Sequence, residues 1–194
     1  MLRQAEQLQY FTIAYNGAEA VVALANAQQT ESLALFSFGL DSVIEFSASL
    51  VALGLLKQLW SERMAGRAIA VSLFLLAAWT AYEAIERIAS QEAARTNWIT
   101  LAIAAASVVV MPWLAATKRQ VARQLGSRAL EGEVAQTDFC FYLSVILLAS
   151  SLAQWLLGWT QVDAVGALLM TPFLWGEARR AWKGEACGSC GSCH

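Results

Sequence analysis

The sequence predicts an all-α polytopic membrane protein, and two observations lead to that fold class. Of the 194 residues, 58% are hydrophobic and only 14% are charged, and the mean hydropathy is +0.49. Soluble domains are about 45–50% apolar and about 25% charged, so this composition argues against a water-soluble globule. The apolar residues also gather in stretches of about 20, the length of a helix that crosses a bilayer.

Six transmembrane helices account for almost the whole chain. The candidate spans are, in order, residues 10–27, 33–56, 68–88, 97–116, 133–157 and 162–182. The polar intervals between them are short and leave no room for a second folded domain. We therefore expect a six-helix transmembrane domain over residues 1–182 and a flexible, Cys-rich tail over residues 183–194.

The basic residues predict how these helices are oriented. With a cytoplasmic N-terminus, eleven of the 13 Lys and Arg residues fall in cytoplasmic segments, and only Arg87 and Arg95 fall outside. The interval 117–132 alone carries four of them. Because cytoplasmic segments of membrane proteins are enriched in Lys and Arg, we expect both termini in the cytoplasm. The net charge of -2 offers no basic surface for nucleic acid.

The first span is the weakest of the six. Asn16 and Glu19 interrupt its apolar run, and a five-span reading with an external N-terminus stays open. These two side chains, three residues apart, either form an interhelical hydrogen bond or belong to a functional site as accessory residues.

Two acids lie in the interior of the second span. Asp41 and Glu45 are four residues apart and share one face of the helix. At 1.5 Å per residue they lie about 24 and 18 Å from Lys57 at the inner end, too far to reach water easily. Carboxylates at such positions are costly and usually functional, and two of them repel unless a cation lies between them. A cation site is favoured, with a hydrogen-bonded pair of protonated acids as the alternative.

The fifth span offers a matching polar face. Glu133, Gln136 and Cys140 align along one stripe, with Thr137 beside them. Counted from the basic residues at the inner ends of the two helices, Cys140 lies at the depth of Glu45, so these two could meet. Carboxylate, carbonyl and thiolate donors together suit a divalent transition metal better than Ca²⁺ or Mg²⁺. Cys140 could equally be a small buried hydrophobe.

Four further acids have simpler interpretations. Glu83 and Glu86 lie near the outer end of the third span and form either an entry vestibule or a solvated rim. Asp138 points away from the polar stripe of the fifth span and is expected to pair with a basic loop residue. Asp163 opens the sixth span as a helix N-cap and is kept as a possible accessory residue.

The chain ends in two successive C-x-x-C steps followed by a histidine. Three thiolates and one imidazole, separated by Gly-Ser pairs, can wrap around a metal ion. The four residues are Cys187, Cys190, Cys193 and His194. A disordered tail is the alternative, and the last step also matches the C-x-x-C-H pattern of covalent haem attachment. Haem is disfavoured because that chemistry belongs to the outer compartment and no second axial ligand is apparent.

Four stretches of the sequence resemble the cation diffusion facilitator (cation efflux) superfamily. They are residues 15–22, 32–45, 133–144 and 158–168. The resemblance is to a short branch without the C-terminal cytoplasmic domain, similar to the vesicular zinc transporter-like membrane proteins. It implies six helices with cytoplasmic termini in a bacterial inner membrane and export of Zn²⁺ or a similar divalent ion, usually against protons.

The resemblance also implies a ligand set. The two acids that the family uses on helix two fall on Asp41 and Glu45, and its His and Asp on helix five fall on Gln136 and Cys140. This departure leaves the identity of the metal open. Many members carry a cytoplasmic metal-binding domain that helps dimerisation, for which the Cys tail would be a minimal substitute. A homodimer is expected by resemblance only.

Together these features predict a divalent metal/proton antiporter rather than an enzyme. Metal binding requires deprotonated ligands, so the site would release protons as the ion enters. No nucleophile, His base or phosphate-binding loop supports hydrolysis. Two other classes stay open: a non-transporting membrane metal sensor or accessory binding protein, and a membrane thiol-redox or haem protein.

Overall fold

The computed structural model describes residues 2–30, 33–90 and 97–157, together with residues 168, 171, 172, 175, 176, 178, 179, 182 and 183. Five helices fill the continuous part: α1 (Leu2–Thr30), α2 (Leu33–Leu56), α3 (Glu62–Ser90), α4 (Trp98–Leu125) and α5 (Arg128–Leu157). None of these described residues is in a strand. The all-α prediction is confirmed for this part of the chain.

Four helical segments of the described chain are long and apolar enough to cross a membrane. They are Phe38–Leu56, Glu62–Ser90, Trp98–Leu125 and Arg128–Ala153. Helix α1 is long enough but is not among them, in keeping with the weakness expected from Asn16 and Glu19. The predicted sixth span lies largely outside the described residues, although each residue described between 168 and 183 is helical. The protein is thus an integral membrane protein.

The helices extend beyond the predicted spans. Residues 117–132, expected as the interval between the fourth and fifth spans, are helical except for Gly126 and Ser127. Gly126 ends α4 with φ +61°, and its N–H is donated to the carbonyls of Ala122 and Arg123, as is typical of a glycine C-cap. The helices continue past the predicted spans because hydropathy marks only the apolar part of a helix, whereas Arg, Lys, Gln and Leu continue it well.

Four helices enclose the interior of the protein. Helix α1 packs on α2, α2 on α5, α5 on α4, and α4 on α1, while α3 packs from outside on α2 and α5. Of the described residues beyond 157, Trp175 and Trp182 lie against α3, where their rings contact that of Phe74. The interior of the four-helix group is therefore bounded by α1, α2, α4 and α5.

Candidate functional site

Polar side chains line the interior of the four-helix group along its length. The buried ones include Gln9, Asn16, Glu19, Asp41, Ser42, Glu45, Ser49, Ser107, Lys118, Glu133, Gln136 and Thr137. Ionisable residues inside a membrane bundle are expensive and mark ion or substrate pathways. We call this set, with Cys140, the polar interior and describe it from the end nearest the α4–α5 turn.

Glu133 is the first carboxylate of the polar interior. One of its oxygens accepts a hydrogen bond from Ser49 Oγ at 3.0 Å, and the other accepts one from Gln9 Nε2 at 2.9 Å. Lys118 Nζ lies 2.8 Å from Oε1 of the same carboxylate. Glu133 is therefore fully engaged by groups from α1, α2 and α4.

Glu45 lies one turn further along the interior. Its Oε1 accepts a hydrogen bond from Thr137 Oγ1 at 2.6 Å and lies 3.5 Å from Lys118 Nζ. The ammonium also donates to Thr137 Oγ1 at 3.0 Å. Lys118 thus bridges Glu45 and Glu133 while remaining only 3% exposed.

Asp41 and Cys140 meet at the next level. Cys140 Sγ donates to Asp41 Oδ2 at 2.6 Å, and both side chains are buried. Among the described residues, Asp41 Oδ1 and Glu45 Oε2 have no hydrogen-bond partner, and the same holds for the side-chain amides of Asn16 and Gln136. Buried polar groups are normally paired, so these free oxygens are donor atoms available to a ligand.

Glu19 forms a separate cluster beyond Asp41. Its carboxylate accepts hydrogen bonds from Ser42 Oγ at 2.9 Å, from Tyr15 OH at 3.3 Å and from Ser107 Oγ. Three hydroxyl groups therefore satisfy this acid.

The pairing of α2 with α5 differs by one turn from the expected one. Cys140 was predicted at the depth of Glu45 and does interact with that carboxyl group, but its hydrogen bond at 2.6 Å is to Asp41, and Thr137 faces Glu45. The prediction assumed that both helices start at the same depth. In this register α5 starts about one turn deeper in the bundle than the position of Lys57.

The remaining predicted residues lie elsewhere. Asp138 forms the expected ion pair with a basic residue at the surface of the four-helix group, Arg119, which lies in α4 and not in a loop. Glu83 is buried and Glu86 exposed on α3, away from the polar interior. Asp163 and the tail residues Cys187, Cys190, Cys193 and His194 lie outside the described residues.

Lys118 is the site residue that sequence reasoning missed. It was counted among the cytoplasmic charges of the interval 117–132. The available signal was its spacing, because it continues the buried stripe of α4 at intervals of three or four residues. That stripe comprises Ala104, Ser107, Met111, Leu114, Ala115, Lys118 and Ala122.

No group of three or more His, Cys, Asp or Glu side chains is close enough to hold a metal ion among the described residues. Beside Asp41 and Glu45, α5 supplies the Cys140 thiol, the Gln136 amide and the Thr137 hydroxyl group. The side-chain amides of Asn16 and Gln136 are buried in the same interior without hydrogen-bond partners. The donor set is mixed, with oxygen and sulfur.

Membrane-crossing helices around a buried row of acids, amides and a thiol define a membrane protein that handles cations. The model of one family, the cation efflux transmembrane domain, matches residues 10–183. The chain therefore belongs to the cation efflux family, whose members transport divalent metal cations. No curated protein matches the sequence. The expected membership of the cation diffusion facilitator superfamily is confirmed, and the protein is a cation transporter.

Proposed function

We propose that this protein exports Zn²⁺ or a similar divalent transition metal in exchange for protons, by alternating access. The observation that carries the proposal is the contact between Asp41 and Cys140 in the polar interior, beside side-chain oxygens without partners. Asp41, Glu45, Gln136 and Cys140 form the transport site. Asn16, Glu19, Glu133, Thr137 and Asp163 have accessory roles.

Proton exchange follows from the chemistry of these ligands. Cys140 donates its thiol proton to Asp41, and a metal ion needs both groups deprotonated. The ion therefore displaces this proton when it binds. A proton returns to the same pair when the ion leaves on the other side, which couples the two fluxes.

We propose that the protein lies in a bacterial inner membrane with both termini, and the α4–α5 turn, on the cytoplasmic side. The excess of Lys and Arg in the segments assigned to that side supports it. Helix α1 and the segment 162–182 complete six spans. The homodimer remains an expectation from the family.

The Cys tail is proposed to gather cytosolic metal for the transport site. Cys187, Cys190, Cys193 and His194 offer three soft thiolates and one imidazole, a set that suits Zn²⁺. The cytoplasm keeps such thiols reduced.

Transport by purified protein in liposomes tests the proposal. Zn²⁺, Cd²⁺, Co²⁺, Ni²⁺ and Fe²⁺ would be screened for uptake together with the internal pH. Asp41→Asn should abolish flux, because the amide cannot supply an anionic oxygen, while the protein stays folded. Asp138→Asn is the matched control, since Asp138 pairs with Arg119 outside the polar interior. It should keep nearly full flux.

Two results would contradict the proposal. Normal flux in Asp41→Asn would remove Asp41 from the transport site. Saturable metal binding by the wild-type chain without flux of any ion would instead indicate a membrane metal sensor or accessory protein.

A further inference from the structure

Lys118 holds a positive charge inside the polar interior. Among the described residues it is the only basic side chain that is buried. Its Nζ lies 2.8 Å from Glu133 Oε1 and 3.5 Å from Glu45 Oε1. An ion out of water needs an opposite charge close by, and here two carboxylates one turn apart share the same ammonium.

This ammonium bears directly on the proposed transport site. Glu45 is one of its ligands, and the ammonium lies beside the Oε1 atom of that carboxylate. A divalent ion between Asp41 and Glu45 would therefore have a positive charge next to it, and charges of like sign repel strongly in a low-dielectric interior. The ammonium is closer to Glu133 than to Glu45, and Glu133 lies on the side away from Asp41. Glu133 can therefore hold the ammonium when Glu45 binds the metal ion.

We propose that Lys118 is a tethered competitor of the transported metal, an inference that rests on the proposed function. The ammonium bridges Glu45 and Glu133 until a metal ion takes Glu45, and it then stays with Glu133 alone. Its return to Glu45 helps to expel the ion when the site opens to the other side. Lys118 is thus a positioning residue that weakens metal binding and speeds release, and Glu133 is its second partner.

The experiment measures Zn²⁺ affinity of the full-length protein in detergent and maximal flux in liposomes. Cys187, Cys190 and Cys193 are replaced by Ser throughout, so that the tail thiols do not contribute. In Lys118→Met the loss of the competing charge should lower the Kd about tenfold and reduce maximal flux. In Glu133→Gln the ammonium has only Glu45, so the Kd should rise about tenfold.

The double variant separates competition from ligation. If Glu133 acts only through Lys118, then Lys118→Met with Glu133→Gln should bind Zn²⁺ as tightly as Lys118→Met alone. This variant also removes one charge of each sign, so the interior keeps its charge balance if the single variant fails to fold. Arg119→Met is the matched control, because Arg119 pairs with Asp138 at the surface.

The proposal is overturned if Glu133→Gln weakens binding equally with and without Lys118, since Glu133 would then be a direct ligand. It is also overturned if Lys118→Met changes neither Kd nor flux. Asp41→Asn, measured in parallel, keeps the two hypotheses apart. If Asp41→Asn keeps its flux, the proposed transport site is wrong. If Asp41→Asn loses its flux but Lys118→Met has the Kd and flux of the wild-type protein, only the proposed role of Lys118 is wrong.

Discussion

Cys140 gives the polar interior its one thiol among the described residues. The thiol faces Asp41, so any cation held by that carboxylate also meets a soft donor. Thiolates favour Zn²⁺ and Cd²⁺, whereas carboxylates and carbonyls favour harder ions such as Mn²⁺. The side chain at position 140 is therefore expected to influence the metal selectivity of the site.

Cys140→Ser should shift that choice, because a hydroxyl group is a hard and weaker ligand. We expect the ratio of Cd²⁺ to Mn²⁺ affinity to fall by about tenfold or more. Competition against a metal indicator would measure both affinities, with Cys187, Cys190 and Cys193 replaced by Ser. Cys140 is then the only thiol left. An unchanged ratio would mean that Cys140 is a packing residue and not a ligand.

Helices α1 and α2 approach each other very closely, and this positions Asp41 and Glu45. A Cβ atom added at Gly39 would lie 2.8 Å from the side chain of Leu24 and 3.3 Å from that of Ala23. Small residues allow such contact between membrane helices. Gly17 also lies at this interface, but a Cβ there would sit 3.5 Å from Phe46, an ordinary contact.

Gly39→Ala should therefore destabilise the pair of helices. Overpacking costs about 1–3 kcal/mol, more than the roughly 0.5–1 kcal/mol that alanine contributes over glycine inside a helix. Gly17→Ala has no such clash and should be neutral or stabilising. Thermal unfolding of both variants in detergent would compare them. Equal melting temperatures for the two would show that the close approach at Gly39 is not required.

The proposed transport by alternating access requires the whole molecule to present the polar interior to both sides of the membrane in turn. The side of the membrane on which the N-terminus lies depends on whether α1 crosses the bilayer. Helix α1 is long enough to do so, but it is less apolar than the candidate membrane spans of the described chain. A spanning α1 keeps the N-terminus on the same side as the α4–α5 turn. A five-span arrangement would put it on the opposite side.

Labelling with a membrane-impermeant maleimide would decide between these arrangements. Gln4 is exposed, so Gln4→Cys in a chain with the tail cysteines replaced by Ser gives one accessible thiol. We expect labelling in inside-out vesicles and none in intact cells. The same chain without Gln4→Cys is the control, since Cys140 is buried. Labelling of intact cells would establish an external N-terminus.

Hydropathy predicted the helical membrane class and the centres of α2 to α5, because the apolar content of a segment is a local property. The same pattern indicated the acids of α2 and the polar stripe of α5, since a helical period of 3.6 residues decides which side chains share a face. It did not indicate the ends of α4 and α5, where polar residues continue the helix.

The sequence by itself determined the all-helical membrane fold, the family and the choice of Asp41, Glu45 and Cys140 as candidate residues. Only the tertiary structure decided that Cys140 faces Asp41 and that Thr137 faces Glu45. It alone brought Lys118 from the expected cytoplasmic interval into the interior, between Glu45 and Glu133. The physical reason is that the relative depth of two helices depends on how their side chains pack across the bundle. Counting residues from the charged ends of each helix does not measure that packing.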